Sequence, residues 1–283
     1  MTKLIPKMHK AFRLFFGTLI SIFKQGGLTY EKVFFLEQGK TLDSKVILIT
    51  GGLTGIGLAM TKKFLQEGAS VIVLSRNELP VKEHGLENQP SFKFRKFDLT
   101  SFSEMPDVIN EVTKLFGRID VLVNNAGVIS GSMFPNVSEE DWDLVYETNS
   151  KAVFFLTQSV IKSWLRNPNT YPKKVLNISS QGAFVGATYP YRMTKWDIRG
   201  LTQGLAAKYI EKGIIINGIA PGIVRTSMQP KYTESKNIYC EDVIIGRICL
   251  PEEVAELARF MVSDLSNFIV GETILIDGGY SLK

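Results

Sequence analysis

Residues 46–57 read VILITGGLTGIG. The first five, Val46 to Thr50, form a continuous aliphatic run without polar alternation, the pattern of a strand covered on both faces. Gly51, Gly55 and Gly57 follow, and an apolar-periodic segment then continues to about Gln66. Strand, glycine turn and helix in this order set backbone N–H groups at a helix N-terminus, where glycines let a pyrophosphate approach the main chain. The glycines are spaced G-x3-G-x-G, which differs from the G-x-G-x-x-G of the general dinucleotide fingerprint. No Lys-Ser/Thr pair follows, so the turn is not a P-loop.

The same alternation runs outward to the C-terminus. Further strands are predicted over 70–75, 92–97, 121–124, 175–179, 214–219 and 273–277. Helices are predicted over about 104–116, 138–166 and 191–211, and from Pro251 onward. Ser138 before Glu139, Glu140 and Asp141 reads as an N-cap with acids in the first turn, and Pro168 ends that helix. Pro80, Gly85 and Pro90 leave room only for a short helix between the second and third strands. Seven buried strands alternating with helices imply an α/β fold built on a doubly wound, seven-stranded parallel sheet.

The chain has 283 residues, of which 45% are hydrophobic and 24 are glycine, enough for one large domain with a core. Cys240 and Cys249 make no disulfide framework, and reduced thiols in the cytoplasm are expected. His9 and His84 both fall outside the predicted core elements. No Ser-His-Asp set can be assembled around Ser180, and no His/Cys cluster has metal-ligand spacing. A hydrolase and a metalloenzyme are therefore disfavoured, and no metal site is expected.

The net charge is +5. Lys3, Lys7, Lys10, Arg13 and Lys24 precede residue 25 with no acid among them, and setting them aside leaves 28 basic and 28 acidic residues. A nucleic-acid-binding surface is thus not indicated. Residues 6–24 read PKMHKAFRLFFGTLISIFK. On a helix, Met8, Ala11, Phe12, Phe15, Phe16, Leu19, Ile22 and Phe23 share one face, and the basic residues take the other; Leu14 is the misfit. The apolar stretch is too short and too charged to span a bilayer, and no small-x-small cleavage site follows it. The expected organisation is an N-terminal amphipathic extension and connector over 1–40, then one dinucleotide-binding and catalytic domain over 41–283. The extension either lies on the inner face of a membrane or packs on protein, since amphipathicity specifies an apolar partner and not which one.

The expected chemistry lies in residues 177–195, NISSQGAFVGATYPYRMTK. Tyr191 and Lys195 are four apart and share one helix face. A tyrosine titrates near ~10 and is a poor acid or base at neutrality. A lysine ammonium beside it is expected to favour the phenolate and lower its pKa. Ser180, at the strand end, can donate to a carbonyl oxygen near the tyrosine. An amphipathic helix with a surface Tyr and Lys would leave the same trace, and the neighbouring motifs decide between the two.

Those motifs are TGGLTGIG at 50–57, NNAG at 124–127, Asn149, Ser180 with Tyr191 and Lys195, and PGIVRT at 221–226. In this order the sequence resembles the short-chain dehydrogenase/reductase family in its shorter single-domain form, over about 42–279. The resemblance implies a Rossmann fold, and it implies an oxidoreductase interconverting a carbonyl and an alcohol. In that family Tyr191 would be the general acid/base and Lys195 would hold the nicotinamide ribose. Ser180 would orient the carbonyl, and Asn149 would anchor a water linking Lys195 to solvent. Gly51, Leu53, Thr54, Gly55, Ile56 and Gly57 would form the phosphate turn, and Asp98 and Leu99 would flank the adenine. Asn125, Ala126 and Gly127 would shape the end of the fourth strand beside the cofactor. Pro221, Gly222, Val224 and Thr226 would hold the nicotinamide carboxamide. The interval from Ser180 to Tyr191 is slightly short for the family, and Thr194 stands where a serine is common.

An acid at the end of the second strand would select NAD. This chain has Ser75 and Arg76 there, which leave room for a 2′-phosphate and a guanidinium to pair with it. The expected cofactor is NADP(H), with NAD(H) second. Gln181, Phe184, Tyr189 and Met228 are expected to face the substrate, and residues 227–246 to supply a lid with Tyr232 and Tyr239. Each of these side chains can equally be packing. The family commonly forms homodimers or homotetramers through the helices 138–166 and 191–211. The competing class is a non-catalytic NADP(H)-binding sensor or scaffold.

Overall fold

The computed structural model describes residues 40–166, 172–229 and 239–282. The predicted extension over residues 6–24 lies outside them, as do Pro168 and Tyr232.

Seven parallel strands form one sheet in the order β3-β2-β1-β4-β5-β6-β7. They are β1 (Val46–Thr50), β2 (Ser70–Ser75), β3 (Phe92–Lys96), β4 (Val121–Asn124), β5 (Lys173–Ile178), β6 (Ile214–Pro221) and β7 (Thr273–Ile276). The helices are α1 (Gly55–Gln66), α2 (Leu79–Glu83), α3 (Met105–Phe116), α4 (Glu139–Tyr146), α5 (Ala152–Arg166), α6 (Pro190–Tyr209) and α7 (Pro251–Val262). All seven segments predicted as strands therefore appear as strands of one parallel sheet.

Side-chain alternation along β1 explains the two layers. Ile47 and Ile49 point to one face, where they join Met60 and Phe64 of α1 and Val254, Ala258 and Met261 of α7. Val46 and Leu48 point to the other, against Met105, Val108 and Val112 of α3 and Leu156, Val160 and Trp164 of α5. A strand buried on both faces has no solvent side for polar residues, which is why 46–50 reads as uninterrupted apolar sequence. Trp164 keeps its indole N–H satisfied by donating to the Ile119 carbonyl at 2.8 Å.

Most boundaries shift from the sequence reading by a residue or two, and three of the differences have a physical reason. β5 begins at Lys173, two residues before its apolar run, because both lysines there are buried and partnered. The Lys173 ammonium donates to Asp120 at 2.8 Å and to the Ile119 carbonyl at 2.9 Å. Lys174 donates to the Ser263 carbonyl and, at 2.9 Å, to the Ser266 hydroxyl, satisfying groups just past the end of α7. β6 runs on to Pro221, since its last four residues pair with β7. The helix predicted over 138–166 is broken by a π-helical turn, Glu147–Lys151, between α4 and α5. Such a turn is common at functional sites, and this one carries Asn149.

Candidate active site

The strand order reverses at β1, whose neighbours are β2 and β4. A crevice opens at such a switch point, outside the carboxyl ends of the strands. Here it is a cleft of about 370 Å³, lined from the turn after β1, the ends of β2 and β3, the loop after β4, the β5–α6 segment and the loop after β6.

The turn after β1 is held from below by Thr50. Its hydroxyl accepts from the Asn125 and Ala126 N–H groups, both at 3.0 Å. The Asn125 side chain donates back to the Thr50 and Gly51 carbonyls at 2.9 and 3.2 Å. Loop β1–α1 and loop β4–α4 are thereby tied into one floor. Gly57 is required by this packing, since a Cβ there would stand 2.1 Å from the Gly51 carbonyl oxygen. Gly55 has φ +51°, and a Cβ there would stand 3.1 Å from the Thr226 methyl group, so a side chain would be strained and would fill the gap between the two walls. The N-terminus of α1 has no side-chain cap and no acid in its first turn, which leaves its N–H groups to an anion.

In the interior, away from the cleft lining, Asn124, Thr157, Asn177 and Thr202 form a buried chain of side-chain hydrogen bonds of 2.8–2.9 Å that locks β4 and β5 to α5 and α6. At the end of β5 two serines part company. Ser179 also lines the cleft, but it is buried and donates its hydroxyl proton to the Lys195 carbonyl at 2.8 Å. Ser180 lines the cleft, as does Tyr191, and its hydroxyl works against the rise of the tyrosine pKa. Its hydroxyl oxygen also accepts from the Gly182 N–H at 3.1 Å, which fixes its rotamer.

Tyr191 and Lys195 both come from the start of α6 and line the cleft. The Lys195 ammonium sits 5.3 Å from the centroid of the Tyr191 ring and donates to the Ile178 carbonyl at 3.1 Å. Burial pulls Lys195 down to about 8. Burial also pushes the Tyr191 phenol up to about 12, against the opposing hydrogen bond with Ser180. The expected lowering of the tyrosine pKa by lysine is therefore corrected. The ammonium lies over the ring and spends a proton on a carbonyl, so desolvation of the phenolate prevails.

Asn149 does not line the cleft. It is 1% exposed and clamps the backbone of Val128, accepting from its N–H and donating to its carbonyl, each at 2.8 Å. Its amide also reaches Thr194 at 3.4 Å. Gly127 marks how near Asn149 and Lys195 come, for a Cβ there would lie 3.2 Å from the Asn149 side-chain oxygen and 3.6 Å from the Lys195 ammonium.

Of the other predicted residues, Gly51, Thr54, Gly55, Ile56, Ser75, Arg76, Asp98, Leu99, Asn125, Ala126, Gly127, Gln181, Pro221, Gly222, Val224 and Thr226 all line the cleft. Leu53 does not: it is 1% exposed and packs in the core under α1. Gly57 also lies outside the lining and acts through the turn packing above. Phe184 turns away to stack under the Arg199 guanidinium at 4.0 Å, while Tyr189 and Met228 face the cleft. Sequence reasoning passed over Arg192, Thr148 and Ile129, which line it too. Arg192 was visible, since it follows Tyr191 directly.

The residues present fit a dinucleotide. Asp98 accepts from the Thr100 N–H and hydroxyl at 2.9 and 2.8 Å, and these bonds hold its carboxyl below the usual range against burial, with the Arg76 charge assisting. The buried Gln181 side-chain oxygen has no hydrogen-bond partner among the described residues and lies where a Gly222 Cβ would meet it at 3.0 Å, leaving an acceptor for a bound group. Among the described residues, no group of His, Cys, Asp and Glu could hold a metal.

The profile of the short chain dehydrogenase family matches residues 45–237. The chain is 36% identical over 245 residues to a 3-oxoacyl-[acyl-carrier-protein] reductase, FabG, of Thermotoga maritima, covering 84% of this chain and 98% of that protein. It is 32% identical over 249 residues to an NAD-dependent glycerol dehydrogenase of Listeria innocua, covering 86% and 96% of the two chains. The solved structure of ElxO with NADP bound superposes with a TM-score of 0.77 at 30% identity, over 85% of this chain and 100% of that one. With this fold, this cleft and these relatives, the chain belongs to the short-chain dehydrogenase/reductase family, oxidoreductases of CH–OH and C=O groups that bind NAD(P).

Proposed function

We propose that the protein is an NADP(H)-dependent carbonyl reductase in which Tyr191 moves the proton. The observation that carries this reading is the meeting of Ser180, Tyr191 and Lys195 in the cleft that also reaches Ser75 and Arg76. Arg76 would pair with a 2′-phosphate, the α1 N-terminus with the pyrophosphate, and Lys195 with the nicotinamide ribose. When bound, NADP(H) supplies the hydride chemistry. Ser180 holds the substrate oxygen by a hydrogen bond. Tyr191, protonated throughout the neutral range, gives its phenolic proton to that oxygen in the direction of reduction. Lys195 and Asn149 stand behind it, where a water held beside Asn149 would restore the proton from solvent. Turnover of a carbonyl panel with NADPH and with NADH tests this reading. Faster NADH turnover would refute the cofactor preference, and no turnover with tight NADPH binding would favour a sensor or scaffold.

We also assign the protein to the cytoplasm as a homodimer or homotetramer. Large apolar side chains left exposed on α4, α5 and α6, among them Trp142, Leu144, Phe154 and Trp196, support pairing between copies. No helix among the described residues is long and apolar enough to cross a membrane. For residues 6–24 we favour peripheral attachment to an anionic membrane surface, because the sequence would set four phenylalanines opposite the basic residues. Co-sedimentation with anionic liposomes, comparing the full chain with a version starting at Thr41, tests it. Binding that salt weakens and truncation abolishes is expected. Full-length protein left in the supernatant, with truncation lowering stability, would mean that the segment packs on protein.

A further inference from the structure

We propose that the substrate carries an anionic group, a carboxylate or a phosphate, which Arg192 binds at the start of α6. This rests on the proposed function above and names the substrate class for that cleft.

Arg192 lies directly after Tyr191 and lines the cleft, half-buried. It makes no ion pair among the described residues. Its guanidinium donates to the Gly186 carbonyl at 3.3 Å, a long contact, and lies 5.4 Å from the centroid of the Tyr189 ring. A carbonyl and a ring face hold the guanidinium in place without neutralising it. Neighbouring Arg199 has contacts of the same kind, with Phe184 and the Ala183 carbonyl, but it does not line the cleft.

Placement separates this cation from the cofactor. Arg76 follows β2 and Arg192 follows β5, three steps apart in the sheet order β2-β1-β4-β5. At the usual strand spacing that is ~14 Å, so Arg192 does not share the 2′-phosphate with Arg76. It stands instead on the substrate side. Ser180 Oγ and Arg192 Cδ are both 3.6 Å from the point where a Gly182 Cβ would stand. The Arg192 side chain and Ser180 thus border the same stretch of the cleft wall.

Two further features favour a negative charge here. The N-terminus of α6 has no side-chain cap and no acid in its first turn, so its dipole and free N–H groups add to the Arg192 charge. Ile129 and Met228 supply apolar lining without a competing carboxylate.

The test is binding in the presence of NADP+, read by calorimetry, with two matched pairs. One pair is 3-hydroxybutyrate and its methyl ester; the other is glycerol 3-phosphate and glycerol. We expect at least one anion to bind about tenfold or more tighter than its neutral mate, equivalent to ~1.4 kcal/mol. Which pair shows the preference tells carboxylate from phosphate. Arg192→Gln should bring that ratio near unity, and Arg192→Lys should keep part of it. Equal affinities within both pairs, a preference that survives Arg192→Gln, or no binding of either anion at millimolar concentration would overturn the proposal. Tyr191→Phe, run in parallel, should stop turnover and spare the anion preference. A Tyr191→Phe enzyme that still turns over would break the proposed proton path and leave the Arg192 result standing.

Discussion

Replacing Arg76 by alanine separates the two nicotinamide cofactors at one atom group. The 2′-phosphate is the only part of NADPH that NADH lacks, and Ser75 and Arg76 are the polar residues at the end of β2 that line the cleft, beside Leu74. A hydrogen bond to a charged group is worth ~1.5–3 kcal/mol. Arg76 is exposed, so solvent and salt screen its charge. The Asp98 carboxylate, held in place by Thr100, also draws on the same guanidinium. Both effects place the loss at the lower end, ~1.5 kcal/mol, or about a tenfold weaker Kd for NADPH. NADH should change by less than about twofold, on the arithmetic that tenfold corresponds to ~1.4 kcal/mol. Quenching of protein fluorescence gives both constants for wild type, Arg76→Ala and Arg76→Lys. Lysine should recover part of the loss, as a point charge without the bidentate fork. Raising salt should weaken NADPH binding to wild type more than to Arg76→Ala. Equal losses for NADPH and NADH would refute the 2′-phosphate role, because the side chain would then be supporting the cleft wall.

Tyr191→Phe removes the phenolic oxygen and leaves the ring, so turnover should fall below a few per cent while the Kd for cofactor stays nearly unchanged; retained activity in steady-state assays would sink the proton path. Lys174 gives a pH prediction on stability. Burial holds its folded-state pKa at about 7 against an ordinary 10.5. Between those values the unfolded chain binds more protons than the folded one, so stability should rise with pH across the window. Urea midpoints at pH 7 and pH 9 should show a smaller rise in Lys174→Met than in wild type. An equal rise would mean that Lys174 titrates normally.

Much of the fold was legible because buried parallel strands leave an unmistakable trace. Val121–Asn124 and Val46–Thr50 have the boundaries read from the sequence, since apolar content and strand coincide there. Where they part, a partner far along the chain is responsible. Lys173 and Lys174 look like a polar strand entrance until Asp120 and the end of α7 are seen to meet them. The break at Glu147–Lys151 leaves no Pro or Gly to announce it. The pattern of acids and apolar residues continues through it, and only the clamp between Asn149 and Val128 explains the local geometry.

The same distinction holds in the cleft, with a sharper consequence. Sequence spacing puts Tyr191 and Lys195 on one helix face and says nothing of how deeply that face is buried. Helix geometry allows the lysine to lower the tyrosine pKa, whereas burial drives the two groups toward their neutral forms together, up to about 12 and down to about 8. Both shifts come from one cause, the removal of water from the start of α6. Tyr191 thus holds its proton firmly, as the proposed donor to a carbonyl oxygen would have to. Lys195 lies close to neutrality, so it can give up or regain a proton at modest cost. Arg192, one residue from Tyr191 on the same helix start, cannot neutralise in this way. On the proposal above, that fixed charge is the one a substrate anion would meet.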